Sequence, residues 1–358
     1  MKRSVTPLLA CPVPQGASRC DGPLSLVSGE GLPLLASETD ADELVEGELR
    51  CGKCGTQFPI LSGVAILHPQ PEDYLARFYA SVIRDLDRHG SLSPAARAWL
   101  TKRFSRDPRR EEYGADFRFS QQFEAPWDVA RAMTPDPSRT YGAFADWLRS
   151  MKGQGPYDIL AEWAAELPAE RHFALDAGCG GGGLVARMAP WFGSAFGIDL
   201  SLLAILLARR TVLHRPEAER SYMLRTRIDQ ELERPLSVRP APNAEFFVAD
   251  ATALPFPSAL FDTVCSTNII DIVGIDGPLD AAVRVLRANG LLLLTDPFYF
   301  HAGQAPEGDP VKAIRGHLRR RGLKIETDRD AVPWAWATYE RHWRVYFSYC
   351  VAARKPLA

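Results

Sequence analysis

Two groups of residues in this chain have the types and the spacing that chemistry requires. The first is residues 175–183, which read LDAGCGGGG and are followed by acids at Asp199 and Asp250. Glycines have no Cβ atom, so their backbone can approach a ligand closely, and carboxylates accept hydrogen bonds from hydroxyl or amino groups. The second group is four cysteines near the start of the chain, whose thiolates could bind one metal ion: Cys11, Cys20, Cys51 and Cys54.

The glycine-rich segment lies between a predicted strand and a predicted helix. The run FALDAG reads as a buried strand, and GLVARMAP begins the helix that follows. Gly178 and Gly180 would let the connecting turn tighten at the carboxyl end of the strand. With Gly183 they satisfy the pattern G-x-G-x-x-G, so a dinucleotide and S-adenosylmethionine are both candidate ligands. Asp199, at the end of the next predicted strand, would bind ribose hydroxyls in either case.

The second half of the chain alternates strands and helices. After FALDAG, the predicted strands are AFGIDL, AEFFVAD, FDTVCST and LLLLTDP, with GLKIETD and WRVYFSYCVAARK as late strands. Ser201 would cap the helix SLLAILLARR, and the helix LDAAVRVLRANG would end at its glycine. This alternation predicts an α/β fold with a Rossmann-like, mostly parallel sheet of seven strands and helices on both faces. Ligands of such sheets bind at the carboxyl ends of the strands, near the point where strand order reverses.

Three later stretches decide between the two cofactors. VADATALPF places Asp250 at the end of a strand, FDTVCSTNIID follows it, and RVLRANGLLLLTDP adds a helix-glycine-strand unit. In this order, residues 157–354 resemble the class I S-adenosylmethionine-dependent methyltransferases. The resemblance implies that the methionine part of the cofactor is held by Asp176, Gly178, Gly180 and Gly182. It also implies Asp199 as the ribose ligand, Asp250 and Ala251 as adenine ligands, and Leu200 and Thr267 as further cofactor-binding residues.

The methyl acceptor must lie on the same side of the sheet. Transfer requires a nucleophile held about 3 Å from the methyl group in a site without water. The residues best placed to hold it follow strands four and five: Thr267, Asn268, Asp271, Asp296, Phe298 and Tyr299. This block resembles methyltransferases that act on histidine-derived small molecules, in which an Asn-x-x-Asp pair and an aromatic pair follow these strands. The resemblance implies Asn268 and Tyr299 as catalytic residues, although Asn268 could equally cap the following turn.

The four N-terminal cysteines have an unusual spacing. CGKCG is a Cys-x-x-Cys knuckle that can present two thiolates to one tetrahedral ion, whereas eight residues separate Cys11 from Cys20. LLACPV, GPLSL and LRCGKCGTQFPILSGVAIL together resemble the four-cysteine zinc ribbons of bacterial methyltransferases and of the subunits that activate tRNA and release-factor methyltransferases. Those ribbons usually begin Cys-Pro-x-Cys, and here Pro14 stands at the second cysteine's place. The resemblance implies a structural zinc ion, while a metal-free β-ribbon is the alternative.

These features divide the chain into three predicted parts, which are a zinc-ribbon-like domain (1–67), a helical linker or lid (68–156) and a methyltransferase domain (157–358). In the linker, apolar residues from Leu75 to Leu86 recur at helical spacing. The aromatic residues of segment 99–127 either pack a helical subdomain or cover a substrate. A charged helix is expected at 217–233, inside an insertion that precedes AEFFVAD.

Composition limits the functions that remain. The formal net charge of −2 gives no global attraction to nucleic acid or to an acidic membrane, and no apolar run is long enough to span a bilayer. Unpaired thiols are typical of a cytoplasmic protein. The expected function is methyl transfer to a small molecule. The alternatives are methylation of rRNA or tRNA, with HLRRRGLK as a basic patch, and a non-catalytic cofactor-binding protein whose ribbon docks a protein partner.

Overall fold

The fold is known from a computed structural model of the chain. It describes residues 1–16, 18–27, 32–109, 143–150, 154–213, 221–227, 230–235, 240–339 and 342–357. Most of the predicted aromatic segment 99–127 therefore lies outside the described residues. No helix within the described ranges is long and apolar enough to cross a membrane.

The N-terminal region is a small antiparallel structure. A 3-10 helix, Arg3–Leu8, precedes seven short strands: β1 (Pro14–Gln15), β2 (Ser18–Arg19), β3 (Leu24–Val27), β4 (Leu35–Ala36), β5 (Leu44–Cys51), β6 (Gln57–Leu61) and β7 (Val64–Ala65). Strands β3, β5, β6 and β7 pair in that order, and β4 pairs with the first residues of β5, from Leu44 to Glu46. Strands β1 and β2 form a separate hairpin between Cys11 and Cys20.

The linker is helical where it is described, with α1 (Pro71–Arg77), α2 (Tyr79–His89), α3 (Pro94–Phe104) and α4 (Ala143–Ser150). The predicted helix over Leu75–Leu86 is interrupted at Phe78, whose φ of −97° and ψ of 15° depart from helical values. Pro71 starts α1 and Pro94 starts α3. Proline is tolerated there because a backbone N–H in the first turn of a helix has no partner within the helix.

The second half of the chain builds the central sheet. Its strands and the hairpin inserted among them are β8 (Phe173–Ala177), β9 (Ser194–Asp199), β10 (Ser221–Arg227), β11 (Gln230–Pro235), β12 (Ala244–Val248), β13 (Phe261–Thr267), β14 (Leu286–Asp296), β15 (Lys324–Tyr339) and β16 (His342–Arg354). The sheet order is β12-β9-β8-β13-β14-β16-β15. Strands β8, β9, β12, β13 and β14 are parallel, and β16 and β15 are antiparallel. The expectation of a mostly parallel α/β sheet is thus confirmed.

The remaining helices are α5 (Pro156–Glu166), α6 (Gly183–Met188), α7 (Leu202–Val212), α8 (Ile270–Val273), α9 (Asp276–Val285) and α10 (Pro310–Arg320). Ser201 caps α7 as predicted, because its hydroxyl accepts a hydrogen bond from Ala204 N. The helix expected to end at Gly290 instead ends at Val285, where Leu286 turns extended and joins β14. Lys355 Nζ donates to the carbonyls of Val283 and Leu286, so a lysine terminates this helix rather than a glycine.

Each face of the sheet has its own core, because successive strand side chains point to opposite sides. Leu292 and Leu294 belong to a cluster that also contains Leu9, Leu49 and Phe58 of the N-terminal region. Leu291 and Leu293 belong to the opposite cluster, with Leu160 and Trp163 of α5. The N-terminal region therefore shares one hydrophobic core with the central sheet.

The insertion before β12 differs from the expectation. A charged helix was predicted at 217–233, but the described residues there form the antiparallel hairpin of β10 and β11. The segment contains Tyr222, Met223, Leu224 and Leu232 among its charges, and register pairs Leu224 with Leu232 across the hairpin. A hairpin depends on which two segments pair in register, and the spacing of charges along one segment does not predict that pairing.

Candidate active site and metal centre

The glycine-rich turn connects β8 to α6 at the carboxyl edge of the sheet. Gly178, Gly180 and Gly182 have φ values of 88°, 50° and 85°, in the left-handed region that favours glycine. Gly178 N and Cys179 N both donate to Ile198 O at 2.8 Å, which ties the turn to the end of β9. A Cβ on Gly178 would lie 2.3 Å from the Ile269 side chain. The backbone conformation therefore favours glycine at all three positions, and close packing also requires it at Gly178.

Replacing Gly178 with alanine should weaken cofactor binding and destabilise the fold, while Gly183→Ala should change neither appreciably. Gly178 combines a positive φ with the clash against Ile269, whereas a Cβ on Gly183 meets only Arg187 Nη1 at 3.6 Å. Alanine in a left-handed conformation costs about 1 kcal/mol before any clash is counted. Thermal unfolding and calorimetric titration of both variants provide the measurement, and equal behaviour of the pair would contradict the structural reason.

Asp176 lies at the end of β8 and is fully buried. Its Oδ1 accepts a hydrogen bond from Thr267 Oγ1 of the neighbouring β13 at 3.2 Å, and its Oδ2 has no partner among the described residues. Burial raises the pKa of this carboxyl to about 7. An unpaired oxygen on a buried acid is costly, so a ligand with a hydrogen-bond donor or a positive charge fits this position.

Asp199 ends β9 and supports the glycine-rich turn directly. Its Oδ2 accepts from Gly180 N at 3.0 Å and its Oδ1 accepts from Ser201 N at 2.8 Å. Burial raises the pKa of Asp199 to about 6. The neighbouring Leu200 is 47% exposed, and its carbonyl accepts a hydrogen bond from the hydroxyl of Tyr74 in α1 at 2.9 Å. Sequence reasoning missed Tyr74, since nothing in the linker's helical pattern indicates this long-range contact.

Asp250 lies just beyond β12, next to Asp199 through the hydrogen bond from Ala249 N to Asp199 O at 3.0 Å. Its Oδ1 accepts from Thr252 N and Thr252 Oγ1 at 2.8 and 2.7 Å, and Ala251 is half-buried beside it. The three predicted cofactor acids thus lie at or just beyond the carboxyl ends of the adjacent strands β8, β9 and β12. Their roles in cofactor binding remain predictions.

The segment after Asp250 is held by arginines that sequence reasoning did not select. Arg284 donates to the carbonyls of Leu254 and Phe256, both at 2.8 Å. Arg19 donates to the same two carbonyls from the N-terminal region, and Ala10 N donates to Pro255 O at 2.9 Å. Ile66 and Leu67 extend the contact along β12, where Leu67 N donates to Val248 O at 2.7 Å.

The ends of β13 and β14 lie at the same carboxyl edge of the sheet as the ends of β8, β9 and β12. Asn268 has a φ of 54°, its N donates to Thr295 O at 2.9 Å, and its buried Oδ1 has no partner among the described residues. The alternative that Asn268 caps the next turn is not observed, because α8 has no side-chain cap. Tyr299 is 71% exposed, with its ring 6.4 Å from that of Tyr346.

Two acids lie buried at this end of the sheet. Asp296 is 1% exposed, and its carboxylate accepts from Asp271 N at 3.2 Å and Phe298 N at 2.8 Å. Asp271 is 6% exposed, and its Oδ1 has no partner among the described residues. Burial raises the pKa of Asp271 to about 6, and burial together with the Asp271 charge raises that of Asp296 to about 7. Asp296 therefore joins the two loops, and Asp271 retains an unused acceptor.

The four N-terminal cysteines come together in the structure. Their Sγ atoms all lie within 4.8 Å of one another, with Cys11–Cys54 and Cys20–Cys51 both at 3.6 Å. The eight-residue spacing is closed by the β1–β2 hairpin, in which Cys20 N donates to Val13 O at 2.8 Å. Cys51 Sγ accepts from the backbone N of Lys53 and of Cys54 at 3.4 Å.

This cluster fits a tetrahedral metal ion. Four sulfurs at about 2.3 Å from a zinc ion would lie about 3.8 Å apart, close to the two shortest separations. Burial raises the pKa of the Cys11 and Cys20 thiols, so a bound cation would allow them to ionise inside the protein. Gly22 passes so close that a Cβ there would lie 2.6 Å from Cys51 Sγ. The cysteine chemistry is suited to zinc, and no motif in the sequence indicates that Gly22 is needed.

One protein-family model matches part of the sheet domain. Residues 175–294 match a family model described as a methyltransferase domain. No curated protein sequence matches the chain. The matched residues include the glycine-rich turn, the three acids Asp176, Asp199 and Asp250, and the end of β13, and they stop two residues before the end of β14. This match supports S-adenosylmethionine as the cofactor.

Three solved structures resemble the chain distantly. The YcgJ protein of Bacillus subtilis is 15% identical with a TM-score of 0.39, over 57% of this chain and 99% of that one. A protein from work on the conversion of a disulfide bond into a thioacetal group during echinomycin biosynthesis is 18% identical with a TM-score of 0.41, over 68% and 93%. A chain from the complex of the Haloferax volcanii Trm112 methyltransferase activator with a methyltransferase is 17% identical with a TM-score of 0.38, over 60% and 96%. Likeness at this level adds nothing to the fold argument.

Proposed function

We propose that this protein transfers a methyl group from S-adenosylmethionine to a small-molecule acceptor. The observation that carries the proposal is the continuous set of groups at the carboxyl edge of β8, β9 and β12. Within residues 175–294, which match a methyltransferase domain, the glycine-rich turn is hydrogen-bonded to Asp199, and Asp250 follows on the next strand. A cofactor with an amino acid part, a ribose and an adenine would meet one acid at each strand end.

Each residue of the proposed cofactor site has a distinct role. The unpaired Oδ2 of Asp176 accepts a hydrogen bond from the cofactor's ammonium group, and Thr267 fixes the orientation of that carboxylate. Asp199 accepts from the ribose hydroxyls while holding Gly180 in place. Asp250 accepts from the adenine amino group, with Ala251 and Leu200 as apolar contacts. When bound, the cofactor supplies an electrophilic methyl group on its sulfonium.

The acceptor is placed between the ends of β13 and β14. Asn268 and Tyr299 would orient it, and exclusion of water from this edge would favour in-line displacement. A small molecule is favoured over RNA because the net charge of −2 supplies no general attraction to phosphates. The N-terminal region is proposed to bind one zinc ion through Cys11, Cys20, Cys51 and Cys54 and to stabilise the sheet, and the boundaries at residues 67 and 156 are proposed with it.

The experiment follows the labelled methyl group of S-adenosylmethionine into separate metabolite, RNA and protein fractions of a cell extract. We expect label in the metabolite fraction only. Label confined to RNA would instead support the nucleic-acid alternative. Cofactor binding by calorimetry without transfer to any fraction would support a non-catalytic binding protein.

Replacing Asn268 with alanine should lower turnover at least about tenfold while cofactor affinity stays within a few-fold, because its side chain would contact the acceptor mainly in the transition state. Alanine also strains the left-handed backbone at this position, which has a φ of 54°. Asn268→Gly is the matched control, since glycine accepts that conformation without strain. If turnover recovers in Asn268→Gly, the backbone rather than the side chain is responsible, and a role in orienting the acceptor is rejected.

A further inference from the structure

The linker reaches the edge of the proposed cofactor site by extending the sheet beyond β12. Ile66 forms a parallel bridge with Val248, and Leu67 N donates to Val248 O at 2.7 Å. On the other side of β12, Ala249 N donates to Asp199 O at 3.0 Å. Because this segment runs parallel to β12, the chain leaves the sheet at its carboxyl edge, and α1 begins four residues later.

Tyr74 in α1 contacts the loop that follows β9. It is only 4% exposed, and its hydroxyl donates to Leu200 O at 2.9 Å. The ring packs against two other rings of the linker, with its centroid 5.5 Å from that of His68 and 5.2 Å from that of Phe78. This packing restricts the side chain, so little rotamer freedom is lost when the hydroxyl binds the carbonyl.

The Leu200 carbonyl depends on a donor from outside its own helix. Helix α7 begins at Leu202, and Ser201 O accepts from Ile205 N at 3.2 Å as the first carbonyl that the helix satisfies. The Leu200 carbonyl precedes that position and has no partner within the helix. The hydroxyl of Tyr74 supplies the partner from the linker.

One peptide unit connects Tyr74 to the carboxylate of Asp199. The carbonyl of Leu200 and the N–H of Ser201 belong to the same planar peptide. The carbonyl accepts from Tyr74, and the N–H donates to Asp199 Oδ1 at 2.8 Å. The other carboxylate oxygen accepts from Gly180 N of the glycine-rich turn at 3.0 Å. Because the peptide is planar, a bond that fixes its carbonyl also fixes the direction of the N–H that holds Asp199.

We propose that Tyr74 is a positioning residue for the cofactor site, because its hydroxyl fixes the peptide that orients the Asp199 carboxylate toward the ribose hydroxyls. This role rests on the methyl transfer proposed above. Hydrogen bonds in a chain polarise one another, so the loss of the first bond weakens the hold on Asp199 as well. Tyr74 lies outside residues 175–294, which match the methyltransferase domain, so the cofactor site extends into the linker.

A double-mutant cycle on the full-length protein tests this role. Tyr74→Phe removes only the hydroxyl and should weaken binding of S-adenosylhomocysteine about three- to tenfold in calorimetric titration. In the Asp199→Ala background the same substitution should change affinity by less than about twofold, because the group that Tyr74 positions is then absent. Tyr79→Phe is the matched control. Its hydroxyl contacts Thr101 Oγ1 at 3.2 Å within the linker, so its loss should leave affinity unchanged.

A pair of nucleosides tests the same role without the Asp199 variant. 2′,3′-Dideoxyadenosine lacks the two ribose hydroxyls that adenosine would present to Asp199. In ligand-observed NMR titration, Tyr74→Phe should weaken the binding of adenosine and leave that of the dideoxy compound unchanged. An equal loss for both nucleosides, or an equal loss in both backgrounds of the cycle, would show that Tyr74 only stabilises the fold and would overturn the proposal.

The outcomes also separate this role from the proposed function. If the parent protein binds S-adenosylhomocysteine and Tyr74→Phe binds it equally well, only the role of Tyr74 is overturned. If the parent protein does not bind S-adenosylhomocysteine, the cofactor assignment is rejected, and the role of Tyr74 is rejected with it.

Discussion

Replacing Cys51 with serine is expected to release the metal ion and to lower the free energy of unfolding of the whole protein by more than about 4 kcal/mol. Cys51 Sγ lies 3.6 Å from Cys20 Sγ and accepts two backbone hydrogen bonds, so it is central to the cluster. The effect should extend beyond the N-terminal region, because Cys11, Cys20 and Cys51 share a hydrophobic cluster with Leu254 and Phe256 of the sheet domain.

Metal analysis and denaturant unfolding of protein purified without chelators measure both parts of this result. About one zinc ion per chain is expected before substitution and none after it, while the sheet still folds at low denaturant. Cys350→Ser is the matched control, since Cys350 is a buried cysteine outside the cluster, with Thr295 Oγ1 as its neighbour at 3.4 Å. A metal-free parent protein, or equal metal loss in the control, would reject the zinc site.

Replacing Asp199 with alanine should weaken S-adenosylmethionine binding by more than about tenfold, or ~1.4 kcal/mol. Two causes act together. The ribose hydroxyls lose their acceptor, and the amides of Gly180 and Ser201, which donate to Asp199 at 3.0 and 2.8 Å, lose theirs. The glycine-rich turn would then lose a contact that fixes its shape, which adds to the direct loss.

Calorimetric titration compares this variant with Asp199→Asn and Glu170→Ala. The asparagine keeps an acceptor oxygen without the charge and should bind with intermediate affinity. The exposed Glu170 lies at the other edge of the sheet, before β8, so its removal should leave affinity unchanged. Unchanged affinity in Asp199→Ala would exclude this residue from the site, and equal or tighter binding of NAD would reject the cofactor assignment itself.

Local sequence determined much of the framework that positions the site. The apolar runs before Gly178, Asp199 and Asn268 were sufficient to predict β8, β9 and β13, since buried parallel strands are nearly continuous in apolar residues. Ser201 was recognisable as a cap because capping depends on neighbours within one helical turn. The positive φ values at Gly178, Gly180 and Gly182 agree with a run of glycines that only a tight turn explains.

Some expectations failed where local patterns compete with distant contacts. The helix predicted to reach Gly290 ends at Val285, because Lys355, near the end of the chain, supplies donors to its terminal carbonyls. The charged segment expected to be helical pairs across a hairpin instead, as Leu224 opposite Leu232 illustrates. The spacing of charges along this segment does not indicate which other segment it pairs with.

The sequence by itself determined the strand ends, the glycine-rich turn and the acids that follow each strand, because each depends on residues close in the chain. Only the tertiary structure decided that the β1–β2 hairpin brings Cys11 to Cys20, and that Tyr74 supports Leu200 from a separate helix. It alone left an oxygen of the buried Asp271 unpaired, and it brought the Trp334 ring of β15 to 5.4 Å from the Tyr346 ring of β16. Burial and pairing depend on every element that packs around a group, and residues distant in sequence supply most of those elements.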